Sequence, residues 1–178
     1  MTLFARIVAI AALCAVQAAQ AESSKKYFTA NLTHGTAEVD VAGYGDAWVN
    51  ALELEYHATT HFGFSLTRYM FSDFNVHKLS SAELALDASE IAAVVSFRPA
   101  ANVVVQGRVG YLPYTLTASA LGHQIGEEED GTTVPGLGAQ FEFNPIVGLQ
   151  LYARRAEGLS DATLTWYGMG FYARFGPP

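Results

Sequence analysis

From Trp48 to Phe175 apolar and polar residues alternate in one segment after another, and this sustained period of two most restricts how the chain folds. Side chains repeat every two residues along a β-strand, so each such segment carries one apolar and one polar face. Over Trp48–Tyr56, the residues Trp48, Asn50, Leu52, Leu54 and Tyr56 share a face, and Glu53 and Glu55 lie on the other. Phe62, Phe64 and Leu66 oppose Gly63, Ser65 and Thr67, while Ile91, Ala93, Val95 and Phe97 oppose Glu90, Ala92, Val94 and Ser96. Val103, Val105, Val109 and Tyr111 stand against Gln106, Arg108 and Gly110. Leu137, Ala139, Phe141 and Phe143 oppose Gly138, Gln140 and Glu142, and Val147, Leu149, Leu151 and Ala153 oppose Gly148, Gln150, Tyr152 and Arg154. Near the end, Tyr167, Met169, Phe171, Ala173 and Phe175 face away from Gly168, Gly170, Tyr172 and Arg174. A segment from about Tyr27 to Gly35 follows the template less regularly, with Phe28, Ala30 and Leu32 together. The fold class is therefore all-β, with eight strands.

The connections alternate in length. Ala58-Thr59-Thr60, Arg98-Pro99-Ala100-Ala101 and Asn144-Pro145 read as tight turns. Long polar links are expected at about Thr36–Asp46, Ser72–Asp87, Thr117–Thr133 and Ala156–Ala162. Consecutive antiparallel strands with short turns at one end and long loops at the other describe an up-and-down transmembrane β-barrel. Eight tilted strands of about 10 residues use about 80 residues and leave the rest for loops.

The direction of the apolar face decides between a soluble and a membrane barrel. The polar faces are rich in Gly, Ser, Ala and Gln, whereas a soluble surface is usually about 25–35% charged. The whole chain is 15% charged and 51% hydrophobic. After residue 21 the lysines are Lys25, Lys26 and Lys78, none in a clear strand, and aromatic residues crowd the strand ends. Rings at both edges of an apolar band match the headgroup-level girdles of membrane barrels. The apolar faces are thus expected to look out at lipid. A length of 178 residues suits one domain, and the net charge of −7 argues against nucleic acid as a partner.

Residues 1–21 read as an export signal: Arg6, an apolar run from Ile7 to Val16, then Ala19 and Ala21 as the small residues before cleavage at Glu22. The barrel domain is then 22–178. Cys14, the one cysteine, leaves with the signal, as does Arg6.

The stretch Tyr167-Gly168-Met169-Gly170-Phe171-Tyr172-Ala173-Arg174-Phe175 resembles the C-terminal assembly signal of bacterial outer-membrane proteins. Together with Arg108-Val-Gly-Tyr111 and Phe143-Asn-Pro145, it makes the chain similar to the small eight-stranded porin-like family of the OmpA transmembrane domain and OmpX. The family pattern ends on the aromatic residue, and here Gly176-Pro177-Pro178 follow Phe175. The resemblance implies a bacterial outer-membrane location, with Gly168, Gly170, Phe171, Ala173 and Phe175 as the assembly signal. It also implies the barrel assembly machinery, membrane lipids and lipopolysaccharide as partners.

An eight-stranded barrel is just wide enough to be filled by side chains. Glu53, Glu55, Glu90, Arg108, Glu142, Arg154 and Arg174 are expected to form a charge network across a polar lumen, because an unpaired buried charge is costly. Arg68 falls on an apolar face, where it either reaches lipopolysaccharide phosphates or is turned inward by a bulge. Glu127-Glu128-Glu129-Asp130 reads as a solvated loop tip, with weak divalent-ion binding as the alternative. Ser80-Ser81-Ala82-Glu83 opens a short helix or extends a strand. His57 and His61 have a spacing that binds metal on a helix but here spans a turn. No metal and no cofactor are expected. The reading is a non-enzymatic barrel with four surface loops, serving envelope integrity or surface binding, its ligand unspecified. Its rivals are a lipid-modifying enzyme, for which His34 and Ser119 are available, and a narrow solute channel.

Overall fold

The computed structural model describes residues 26–41, 45–75, 82–121, 123–159 and 162–176. The strands are β1 (Tyr27–Val39), β2 (Ala47–His57), β3 (Phe62–Phe71), β4 (Phe74–Asn75), β5 (Ala82–Ala100), β6 (Val103–Ala120), β7 (His123–Glu142), β8 (Val147–Leu159) and β9 (Ala162–Phe175). Each is antiparallel to its neighbours, and β1 pairs with β9, so the sheet closes into a barrel. β4 continues β3 after a break at Ser72 and Asp73, and both lie beside β5. The nine elements therefore make eight crossings.

Alternation sets the two faces. Along β2 the residues Trp48, Leu52 and Leu54 are exposed on the outside while Val49, Ala51, Glu53, Glu55 and His57 are buried. β5 repeats this, with Ile91, Val95 and Phe97 outside and Glu90, Ala92, Val94 and Ser96 inside. Exposed apolar side chains ringing a closed sheet whose interior holds Glu, Arg and Gln suit hydrocarbon as the surrounding solvent. Aromatic residues mark the band's edges. Phe28, Phe64, Phe97, Phe143 and Phe175 lie at the end with the short turns, and Trp48, Tyr111 and Tyr167 at the other.

The short connections are residues 58–61, 101–102 and 143–146, and the start of β1 and the end of β9 lie with them. In barrels of this class that end faces the periplasm. The long polar links are shorter than the sequence suggested. β5, β6 and β7 run for 19, 18 and 20 residues, whereas about 9–11 suffice to cross a bilayer. The surplus converts most of Thr117–Thr133 into the paired ends of β6 and β7, and most of Ala156–Ala162 into β8 and β9. The acidic run Glu127–Asp130 is consequently not a loop tip: it lies inside β7, paired with Tyr114–Thr117 of β6. Ala82 and Glu83 belong to β5 and so extend a strand, while Ser80 and Ser81 lie outside the described residues. Arg98, Pro99 and Ala100, read as a turn, end β5. The cleavage residues Ala19, Ala21 and Glu22 also lie outside the described residues.

Candidate functional site

The charged residues of the interior fall into three tiers. At mid-barrel, four strands converge. Glu53 of β2 accepts hydrogen bonds from Arg108 Nη1 of β6 at 2.6 Å and Arg154 Nη2 of β8 at 2.5 Å. Asn31 Nδ2 donates to Glu53 Oε1 at 2.8 Å, and Thr67 Oγ1 donates to Oε2 at 3.0 Å. Glu90 of β5 takes the opposite side of both guanidiniums, 3.1 Å from Arg108 Nη2 and 3.2 Å from Arg154 Nη1. Tyr69 OH donates to Glu90, and Ser65 Oγ lies 2.6 Å from Arg108 Nη2. Two carboxylates and two guanidiniums, all buried, thus compensate one another. Such mutual pairing is what permits charge in a water-poor interior.

The tier below lies toward the periplasm. Glu55 Oε1 accepts from Gln106 Nε2 at 3.0 Å and sits 2.6 Å from His57 Nε2. The His57 ring stacks on Tyr27 at 4.2 Å between centroids. At the rim, Glu142 is gripped by Arg98 through Nη1 and Nη2, both at 2.6 Å, and by Arg174 Nη2 at 2.6 Å. All seven network residues named from the sequence therefore face inward or line the rim, but they form three groups rather than one. Arg98, Gln106, Tyr69 and His57 were missed as members. His57 is on the same face as Glu55 two residues on, a relation visible in the sequence, whereas Arg98 was read as the start of a tight turn, where alternation gives no face, and instead lies in the last residues of β5.

The outer half of the lumen is not polar, and this corrects the sequence reading. Ala37, Val49, Tyr69, Phe74, Leu86, Leu112, Val134, Ala156, Leu164 and Trp166 pack there as one buried cluster, to which all eight crossings contribute. Trp166 meets the Tyr69 ring edge-on at 5.5 Å. Strand positions here are apolar on the inside while the outside mixes His34, Asn50, Ser89 and Thr133 with Trp48, Tyr111 and Tyr167, so the contrast between the two faces fades above mid-barrel. An apolar plug therefore caps the ion cluster on the extracellular side.

Several other candidates are dispersed. His34 lies on the outer face of β1, stacked on Trp48 at 5.2 Å with Nδ1 2.9 Å from Asn50 Oδ1. Ser119 lies near the far end of β6, opposite Gln124, so the structure does not bring these two residues together. His57 points inward, whereas His61 lies in a turn with Nδ1 3.1 Å from the Ser96 carbonyl oxygen. Arg68 lies on the outer face, where Nη2 is 2.5 Å from Asp87 Oδ2, and β3 keeps an unbroken register, so no bulge turns it inward.

The C-terminal glycines serve the seam that closes the barrel. Gly168 faces Gly35 and Gly170 faces Thr33 in the β1–β9 register. A Cβ on Gly35 would collide with the Tyr167 carbonyl and Gly168 Cα, and one on Gly170 with the Leu32 carbonyl. Phe171 and Phe175 point outward into the apolar band.

Solved structures share this architecture. The attachment invasion locus protein Ail of Yersinia pestis is 15% identical, with a TM-score of 0.62 over 85% of this chain and 99% of that one. A second structure of that protein is a complex with the heparin analogue sucrose octasulfate. Neisserial surface protein A is 13% identical, with a TM-score of 0.62 over 85% of this chain and 97% of that one. The N-terminal barrel of Pseudomonas aeruginosa OprF is 13% identical, with a TM-score of 0.63 over 86% of this chain and all of that one. At these identities the likeness is one of fold. Among curated proteins none matches the sequence. The model of the outer membrane protein beta-barrel domain matches residues 7–175, nearly the whole chain, and the chain belongs to that family, an eight-stranded barrel of the Gram-negative outer membrane.

Proposed function

We propose that this barrel is a closed, non-enzymatic anchor that contributes to envelope integrity and holds an extracellular binding surface. The observation that carries the reading is the filled interior. The ion cluster of Glu53, Glu90, Arg108 and Arg154 occupies mid-barrel, and the plug around Trp166 and Leu112 lies above it. Packed apolar side chains over paired charges offer solutes no wide path, and eight strands leave little room for one. The separation of His34 from Ser119 supports a role without lipid chemistry. What remains to act is the part beyond the membrane, chiefly the long β6–β7 hairpin. Ail has been captured with a polysulfated ligand; the acidic run Glu127–Asp130 on this hairpin suits a cationic partner instead.

Planar-bilayer recording of the folded protein, with lipid masses measured before and after expression in a host cell, tests the proposal. A flat current and unchanged lipid A and phospholipid masses are expected. Steady current steps, or a shift in either lipid mass, would overturn it.

A further inference from the structure

Most arginines of this barrel are matched in number by carboxylates. Arg68 meets Asp87 and Arg155 meets Glu157, while Arg108 and Arg154 share Glu53 and Glu90. The periplasmic rim breaks that pattern. Arg98 and Arg174 both bind Glu142, and among the described residues no second carboxylate pairs with either. Lys26, exposed just before β1, adds a third cation, again with no ion pair among the described residues. It sits close by. A Cβ on Gly176 would come within 3.1 Å of the Lys26 carbonyl oxygen, and the Arg174 guanidinium lies over the Tyr27 ring at 4.7 Å. Among the described residues the rim therefore sets Lys26, Arg98 and Arg174 against Glu142 alone, a surplus of positive charge. The opposite end is acidic, with Glu38, Asp40, Asp46 and Glu127–Asp130.

Beside these charges, Asn144, Pro145, Ile146, Val147, Arg174 and Gly176 line an open, mainly apolar hollow of 630 Å³. Their neighbours in sequence, Phe143 and Phe175, are exposed, and exposed rings at the edge of a membrane barrel mark the headgroup level. A cationic rim at that level beside an apolar recess fits a ligand that is anionic at one end and hydrocarbon at the other. We infer that the rim holds an anionic phospholipid of the periplasmic leaflet, its phosphate against Arg98, Arg174 and Lys26 and an acyl chain in the hollow. Guanidiniums suit phosphate oxygens because they present paired N–H donors in a planar fork. A soluble anion would leave the hollow unfilled, and a zwitterionic lipid would leave the surplus charge uncompensated. The inference goes beyond the closed-anchor reading: it needs the short turns to face the periplasm, but not a closed lumen.

The folded barrel in detergent micelles is incubated with an equimolar mixture of phosphatidylglycerol and phosphatidylethanolamine carrying the same acyl chains. Retained lipid is identified by native mass spectrometry. Phosphatidylglycerol is expected to be retained over phosphatidylethanolamine by about tenfold. K26Q/R98Q leaves Arg174 and Glu142 paired one to one, so it removes the surplus and should abolish the preference. R155Q takes one cation from the opposite end and should leave the preference unchanged. The heat-dependent gel shift confirms that each variant barrel is folded. Glycerophosphoglycerol, the same headgroup without chains, should fail to displace the lipid. Displacement by it would make the rim a site for soluble anions and overturn the lipid assignment. Equal retention of the two lipids by the parent, a preference that survives K26Q/R98Q, or an equal loss in R155Q would overturn the site itself. Any of these beside a flat bilayer current and unchanged lipid masses would remove this inference and leave the closed-anchor reading standing.

Discussion

Arg154 on β8 reaches across the lumen to Glu53 on β2, Nη2 to Oε2 at 2.5 Å, although the two residues are 101 positions apart in the chain. Arg108 uses the same carboxylate oxygen at 2.6 Å, so Glu53 compensates two guanidiniums at once. Removing one partner of a buried pair typically costs about 3–5 kcal/mol because the other charge stays buried. E53Q is therefore expected to lower stability by about that amount, read as the urea midpoint of the barrel in lipid vesicles. Replacing Glu53, Glu90, Arg108 and Arg154 together by apolar residues of similar volume should cost less than E53Q alone, since no charge is then stranded. An E53Q midpoint equal to that of the parent would show that the pairing does not hold the barrel together.

The closing seam is sensitive to a single methyl group. Gly35 and Gly168 face each other between β1 and β9, and a Cβ on either meets the opposite backbone. Backbone atoms cannot rotate away as a side-chain tip can, so G168A is expected to cost about 1–3 kcal/mol by overpacking. Gly107 on β6 has nothing within 4 Å of an added Cβ, which makes G107A the control. Urea midpoints should separate the two variants, and equal midpoints would deny the seam its tight fit.

How much of this was legible depends on where a residue sits along its strand. Within the membrane the solvent is apolar outside and the lumen polar, so Leu52 against Glu53 or Val95 against Ser96 reads directly as a strand with its orientation. Beyond mid-barrel the environments change on both sides. Val49 and Trp166 turn inward to the plug while His34 and Asn50 turn outward. The alternation thereby loses its contrast, and strand passes for loop. The same loss hid Glu127–Asp130 within β7, where water on both faces leaves no apolar phase to detect. Which charges face the lumen followed from parity. Which of them meet did not, because Glu53 and Arg154 are joined by barrel closure, a relation between distant strands that no local pattern encodes.

The plug makes its own prediction. Trp166 is fully buried and touches Tyr69 and Phe71 edge-on, at 5.5 Å and 6.1 Å between ring centroids. W166A leaves a cavity that strands of a closed barrel cannot collapse to fill, and truncations of this kind typically cost about 3–5 kcal/mol. The unfolding midpoint should fall accordingly, while W166F should recover most of the loss. A W166A barrel as stable as the parent would mean that the outer lumen is not packed.

Arg68 gives the opposite expectation. Its side chain is 52% exposed and that of its partner Asp87 is 60% exposed. Exposed ion pairs contribute about 0–1 kcal/mol. R68A should therefore shift the midpoint in detergent by no more than about 1 kcal/mol. A loss comparable to that of E53Q would place Arg68 among the residues that hold the fold.

Orientation can be read with single cysteines, because the one cysteine of the chain, Cys14, lies in the expected signal. Ser119 is near the tip of the β6–β7 ribbon, while Asn144 lies in the short turn between β7 and β8, at the other end of the barrel. Short turns face the periplasm in barrels of this class. S119C on intact cells should therefore react with a membrane-impermeant maleimide, and N144C only after the outer membrane is permeabilised. The Asn144 side chain caps its own turn by accepting from the N–H groups of Ile146 and Val147 at 2.8 Å and 3.0 Å. N144C must accordingly first pass the heat-dependent gel shift as a test of folding. The mass of the same purified protein reports the export step: a chain beginning at Glu22 is expected. Labelling of N144C but not S119C on intact cells would invert the barrel and place the acidic ribbon in the periplasm.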